Sequence, residues 1–163
     1  MPTTQRIHEQ PSIGSVLCAS CGIPADAEYF DEANIEEAPE TGRTSIVVAF
    51  SLPAQYCGVL QYFSQYTDRF AQSCANVDTP GLEWMIRLNG RPMYPYVNLR
   101  QVVNPWGYGS FPIAIRLEEN STVEFAIRGV EFDGAILNQK PARVGGRLVG
   151  RYWYNPIYGD GEQ

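Results

Sequence analysis

Apolar residues recur at every second position over several short runs of this chain, the period of a strand with one buried face. Over residues 44–52, Ile46, Val48, Phe50 and Leu52 fall on one side and Ser45, Val47, Ala49 and Ser51 on the other, which predicts a core strand ended by Pro53. The next run, residues 56–66, also fits a helical stripe through Tyr56, Val59, Leu60 and Phe63, but its glycine and aromatic content favours a strand. Residues 82–88 alternate cleanly, with Leu82, Trp84, Ile86 and Leu88 inward. Asn89-Gly90 then supplies the left-handed residues of a tight hairpin, whose returning strand over 91–94 is expected to stop at Pro95. Phe111, Ile113, Ile115 and Leu117, followed across the turn at 118–121 by Val123, Phe125 and Ile127, predict a second hairpin. The last run, residues 144–154, carries glycines suited to a bulge or to close packing and an aromatic end that can plug a core. Short strands separated by turn signals predict an all-β fold, a single antiparallel sandwich or jelly roll, over residues 44–163.

Residues 1–43 read differently. They hold the acidic stretch at 26–40 and only short apolar islands, at 13–17 and at Tyr29-Phe30. This predicts an extended acidic N-terminal arm, either solvated or ordered along a partner with Tyr29 and Phe30 as anchors.

At 163 residues the chain suits one domain with a sizeable core. Its formal charge of -6 and its lone lysine, Lys140, argue against binding driven by phosphate neutralisation. The arginines Arg87, Arg91, Arg116, Arg128, Arg143, Arg147 and Arg151 all lie in the second half, where they suit ordinary surface and interface contacts. No apolar run reaches the roughly 20 residues that cross a bilayer, and the N-terminus lacks the apolar core of a secretory signal. The expectation is a soluble chain, not exported by that route, with its cysteines kept as thiols.

The candidate chemistry is sparse. Cys18 and Cys21 have the spacing of half a zinc site, and Cys57 and Cys74 could complete four thiolates, but no second close pair exists and buried or incidental thiols are the simpler expectation. The only histidine, His8, falls in the arm, which argues against histidine-assisted nucleophilic catalysis. Glu118 with Glu119, and Glu131 with Asp133, are carboxylate pairs that read more simply as a polar turn and a connecting loop. Gly145-Gly146 lacks the lysine and spacing of a phosphate loop, so no cofactor is expected. Tyr94, Tyr96, Trp106 and Tyr108 are candidates for binding a protein partner, or for stacking on sugar rings in a carbohydrate-binding module.

The strings SLPAQYCGVLQYFSQYT, EWMIRLNGRPM, FPIAIRLEENSTVEFAIRG and VGGRLVGRYWYNP resemble, in texture, the small β-sandwich and jelly-roll modules of tailed-bacteriophage virion proteins. The resemblance covers about two-thirds of the chain. It implies a non-enzymatic structural protein that decorates or cements a capsid, or serves as a connector or tail attachment protein. It also implies homo-oligomers and other virion proteins as partners, and no membrane.

Overall fold

The computed structural model describes residues 22–68, 81–97, 111–131 and 141–155. They form eight strands: β1 (Glu28–Glu37), β2 (Thr44–Ser51), β3 (Tyr56–Thr67), β4 (Leu82–Leu88), β5 (Arg91–Val97), β6 (Phe111–Leu117), β7 (Thr122–Gly129) and β8 (Arg143–Tyr154). One sheet has the order β1-β8-β3-β6 and the other β2-β7-β4-β5, and every named pair is antiparallel. Every chain connection but one, β4 to β5, therefore crosses from one sheet to the other. Two four-stranded sheets wound in this way make a jelly-roll sandwich.

The core fills the space between the sheets. Phe125 on β7 is fully buried, with its ring 5.3 Å from that of Trp84 on β4 and 5.6 Å from that of Phe63 on β3 in the opposite sheet. Nearer the β1 edge, Phe30 stacks on Phe50 of β2 at 4.0 Å, again joining one sheet to the other. Glycines of β8 admit this packing: a Cβ on Gly146 would lie 2.6 Å from the Phe125 ring.

The alternation expected over residues 82–88 holds, with Leu82, Trp84 and Ile86 buried and Leu88 packed against the core. Asn89 and Gly90 take φ of 51° and 75°, as a two-residue hairpin with the right twist requires. Residues 56–66 are strand, as favoured.

Four expectations differ from what is seen. The acidic stretch is not wholly an arm: residues 28–37 are β1, paired along their length with β8, and Phe30 is core. Residues 1–21, the rest of the expected arm, lie outside the described residues. In β2 a bulge at Val47 inserts one residue against β7, so the expected phase holds from Val48 onward while Ile46 is turned outward. Pro95 does not end β5, which continues to Val97. β5 is an edge strand with a register break against β4, where a missing N–H breaks no ladder.

The fourth difference concerns β6 and β7, which are not a hairpin but an arch between sheets. Alternation puts one face of each strand in the core, and that is equally true of two strands in one sheet or in facing sheets. The turn is held by its neighbours rather than by strand pairing. Leu52 N–H donates to Ser121 O at 2.8 Å, Gln55 N–H to Glu119 Oε2 at 2.9 Å, and Thr122 N–H to Asn89 Oδ1 at 2.8 Å.

Candidate interaction surface

The outer face of the β1-β8-β3-β6 sheet departs from the polar surface expected of a sandwich. Burial of Phe30, Leu60, Phe63 and Leu148 fixes which residues of each strand point inward. Their neighbours in the register point out, and they line up in rows across the sheet. Tyr29 lies beside Arg151 and Val59; Asp31 beside Val149 and Tyr62; Ala33 beside Arg147 and Ser64; Ile35 beside Gly145 and Tyr66. Four of the seven large apolar side chains exposed among the described residues, Tyr29, Ile35, Tyr62 and Tyr66, are on this one face.

Gly145 shapes the last row. Having no side chain, it lets Ile35 and Tyr66 close in over β8 from both sides, and an added Cβ would sit 2.8 Å from Ile35 Cγ1. The bulge at Gln61 sets the phase of the rings on β3. It adds one residue opposite β8 and so brings Tyr62 and Tyr66 outward while Phe63 enters the core.

Arginines from β8 are threaded between the rings. Arg147 makes a forked pair with Asp31, Nε to Oδ1 at 2.7 Å, which holds the Asp31 carboxyl below the usual carboxylate range despite some desolvation. The Arg151 guanidinium lies 4.4 Å over the ring of Tyr29. On β6, Arg116 pairs with Glu118 at 2.6 Å. These contacts hold long side chains in fixed positions, which lowers the entropy lost when a partner covers them. Tyrosine and arginine are also the residue types that interfaces use most as anchors.

Of the residues singled out in the sequence, Tyr29 belongs to this face, 67% exposed. Phe30 is an anchor of the chain's own core and presents nothing to a partner. Tyr94 is 87% exposed, on β5 of the other sheet, while Tyr96 is partly buried against the core. Trp106 and Tyr108 lie outside the described residues. Sequence reading missed Tyr62 and Tyr66, whose phase depends on the bulge. It also missed the even spacing of Arg143, Arg147 and Arg151, which was enough to place them on one face of a strand.

Among the described residues, the chemistry-bearing candidates take structural places. Glu119 accepts from the Gln55 backbone, and Glu118 is engaged with Arg116. Asp133 is outside the described residues, so its pairing with Glu131 is too. Cys57 is buried beside Trp153 in the register. Burial, reinforced by the charge of Glu118, pushes its thiol up to about 12, leaving it protonated at neutral pH and not primed for nucleophilic attack. Cys18, Cys21 and Cys74 lie outside the described residues. Among the described residues no group of three or more His, Cys, Asp or Glu is placed to hold a metal, and no helix is long and apolar enough to cross a membrane.

No protein-family model matches the chain, and no curated protein matches it.

Proposed function

We propose that this chain is a non-enzymatic structural protein of a virion, which decorates or cements a phage capsid through repeated protein-protein contacts. The observation that carries this reading is the outer face of the β1-β8-β3-β6 sheet, where Tyr29, Ile35, Tyr62 and Tyr66 stand exposed among arginines held by Asp31 and by a tyrosine ring. Such a surface stabilises contact with protein more readily than it performs chemistry. The jelly-roll winding is compatible with the reading, since viral capsid domains use it, but lectins and cupins use it too, and a fold does not by itself assign a function.

In this reading each contact is modest, and repetition on a symmetric lattice multiplies it. The protein acts in the particle, after assembly in the host cytoplasm, with capsid or other virion proteins and copies of itself as partners. A connector or tail position is the close variant. The reading is tested by quantitative mass spectrometry of particles purified from the source. One copy per shell subunit, or a simple fraction of that, is the expected result; a few copies per particle would move the chain to a connector or tail, and its absence would overturn the virion reading.

A further inference from the structure

We infer that Asn89 is a site of spontaneous chemical modification, where attack by the Gly90 amide nitrogen converts the side chain to aspartate or isoaspartate, and that the fold holds this reaction back by clamping Asn89 to Thr122. The site lies on the β2-β7-β4-β5 sheet, so it neither rests on the aromatic face of the other sheet nor tests it.

Asn89 is the one asparagine of the chain followed by glycine. Glycine has no Cβ to shield its nitrogen and turns freely about φ, so that nitrogen reaches the preceding side chain more readily than the nitrogen of any other residue. Both residues are exposed at the turn between β4 and β5, open to water and base. The Gly90 nitrogen gives up its proton and bonds to Asn89 Cγ; the Cγ–Nδ2 bond breaks, and Nδ2 leaves with a proton as ammonia. A five-membered imide remains. Water opens it, its hydroxyl going to the carbon that loses the nitrogen and its proton to that nitrogen. Opening at Cγ gives aspartate, and opening at the main-chain carbonyl gives isoaspartate, in which the chain runs through Cγ. Nothing is oxidised or reduced.

The folded turn opposes the first step. Asn89 is held to the start of β7 by two bonds, its N–H donating to Thr122 O at 2.9 Å and its Oδ1 accepting from Thr122 N–H at 2.8 Å. Gly90 is fixed as well, because its carbonyl accepts from Arg87 Nε at 3.2 Å and Nη2 at 2.7 Å, and Arg87 is itself anchored by Glu124 at 3.3 Å. Bringing Cγ onto the Gly90 nitrogen requires the carboxamide to leave Thr122. The reaction therefore runs through a local opening of the hairpin end.

The two products fit the turn differently. Aspartate keeps an oxygen for Thr122 N–H, now in a charge-assisted bond, and Asp-Gly is itself a favoured pair for a two-residue hairpin. Isoaspartate takes Cγ into the main chain and so lengthens the link between Leu88 and Arg91, which pair directly across the turn. It also makes the acceptor that holds Thr122 a main-chain carbonyl. Only the aspartyl chain can rebuild both the hairpin and its tie to β7.

Peptide mapping by mass spectrometry, with chromatographic separation of aspartyl and isoaspartyl forms, reads this on the full chain kept with reductant at mildly alkaline pH, folded in buffer or unfolded in guanidinium chloride. In the unfolded chain Asn89 should convert several-fold faster than Asn120, whose successor Ser121 carries a side chain. In the folded protein Asn89 should convert at least tenfold more slowly than when unfolded, the ratio reading how seldom the turn opens. When denaturant is removed, the folded fraction should be depleted in the isoaspartyl form at position 89 relative to the aspartyl form, and Asn89→Asp should unfold in urea at the wild-type midpoint. Equal rates at Asn89 in the folded and unfolded chain overturn the inference, as does an unfolded Asn89 no faster than Asn120. So does equal entry of the two products into the folded fraction, or an Asn89→Asp protein that unfolds well before wild type.

Discussion

Phe125→Ala is expected to destabilise the protein by about 3–5 kcal/mol, enough to unfold a large part of the population if total stability lies at the low end for such a domain. Phe125 is fully buried on β7, an inner strand of its sheet, and its ring touches those of Trp84 beside it and Phe63 across the sandwich. Truncation removes contacts to both sheets at once. The opening is also unable to close by local collapse, because Gly146 opposite it has no side chain to move in. Urea unfolding followed by tryptophan fluorescence measures the loss. A midpoint that moves by less than the equivalent of about 1 kcal/mol would show that this is not the centre of the core.

Gly150→Ala should cost stability although alanine is the better residue in an unfolded-state comparison, where it gains about 0.4–1 kcal/mol. Gly150 sits on the inward face of β8, between β1 and β3, and a Cβ there would overlap the Val59 carbonyl oxygen and the Phe30 ring. The carbonyl belongs to a backbone ladder and cannot swing aside as a side chain can. Overpacking of this kind costs about 1–3 kcal/mol, and the rigid neighbour puts the change at the upper end. Thermal melts of wild type, Gly150→Ala, Phe30→Ala and Phe30→Ala/Gly150→Ala separate the two neighbours. If Gly150→Ala costs less in the Phe30→Ala background than in wild type, the ring is the obstacle; an equal cost leaves the carbonyl. A neutral Gly150→Ala would mean that β1 does not sit closely on β8.

Period-two alternation marked most strands because each has one face in a single apolar core, and Asn89-Gly90 marked its hairpin because the turn demands positive φ. Alternation carries no information about which sheet a strand joins, and this is why the β6-β7 arch looked like a hairpin. Nor does it survive an inserted residue, as Val47 and Gln61 show. β1 was hidden by its acids. As an edge strand it buries one large side chain, Phe30, and leaves Asp31, Glu32 and Glu37 in solvent, so its composition resembles that of a tail. The charges also protect an edge that would otherwise invite pairing with another chain.

The candidate surface was legible in fragments. Tyr29 stood out because an aromatic residue in an acidic stretch has few neighbours to hide among, and the arginines of β8 were readable by spacing. What joins them is the pairing of β1 with β8 and of β8 with β3, contacts between residues more than a hundred positions apart in the first case and about ninety in the second. No local pattern encodes such pairs.

The central claim is that this aromatic and arginine-bearing face is where the protein does its work in an assembly. Hydroxyl-radical footprinting of purified particles against dilute free protein tests it most directly, because it reports the exposure of individual side chains. Tyr29, Tyr62 and Tyr66 should each lose most of their reactivity in the particle. Unchanged reactivity at all three, in particles shown to contain the chain, would contradict the claim and place the working surface elsewhere.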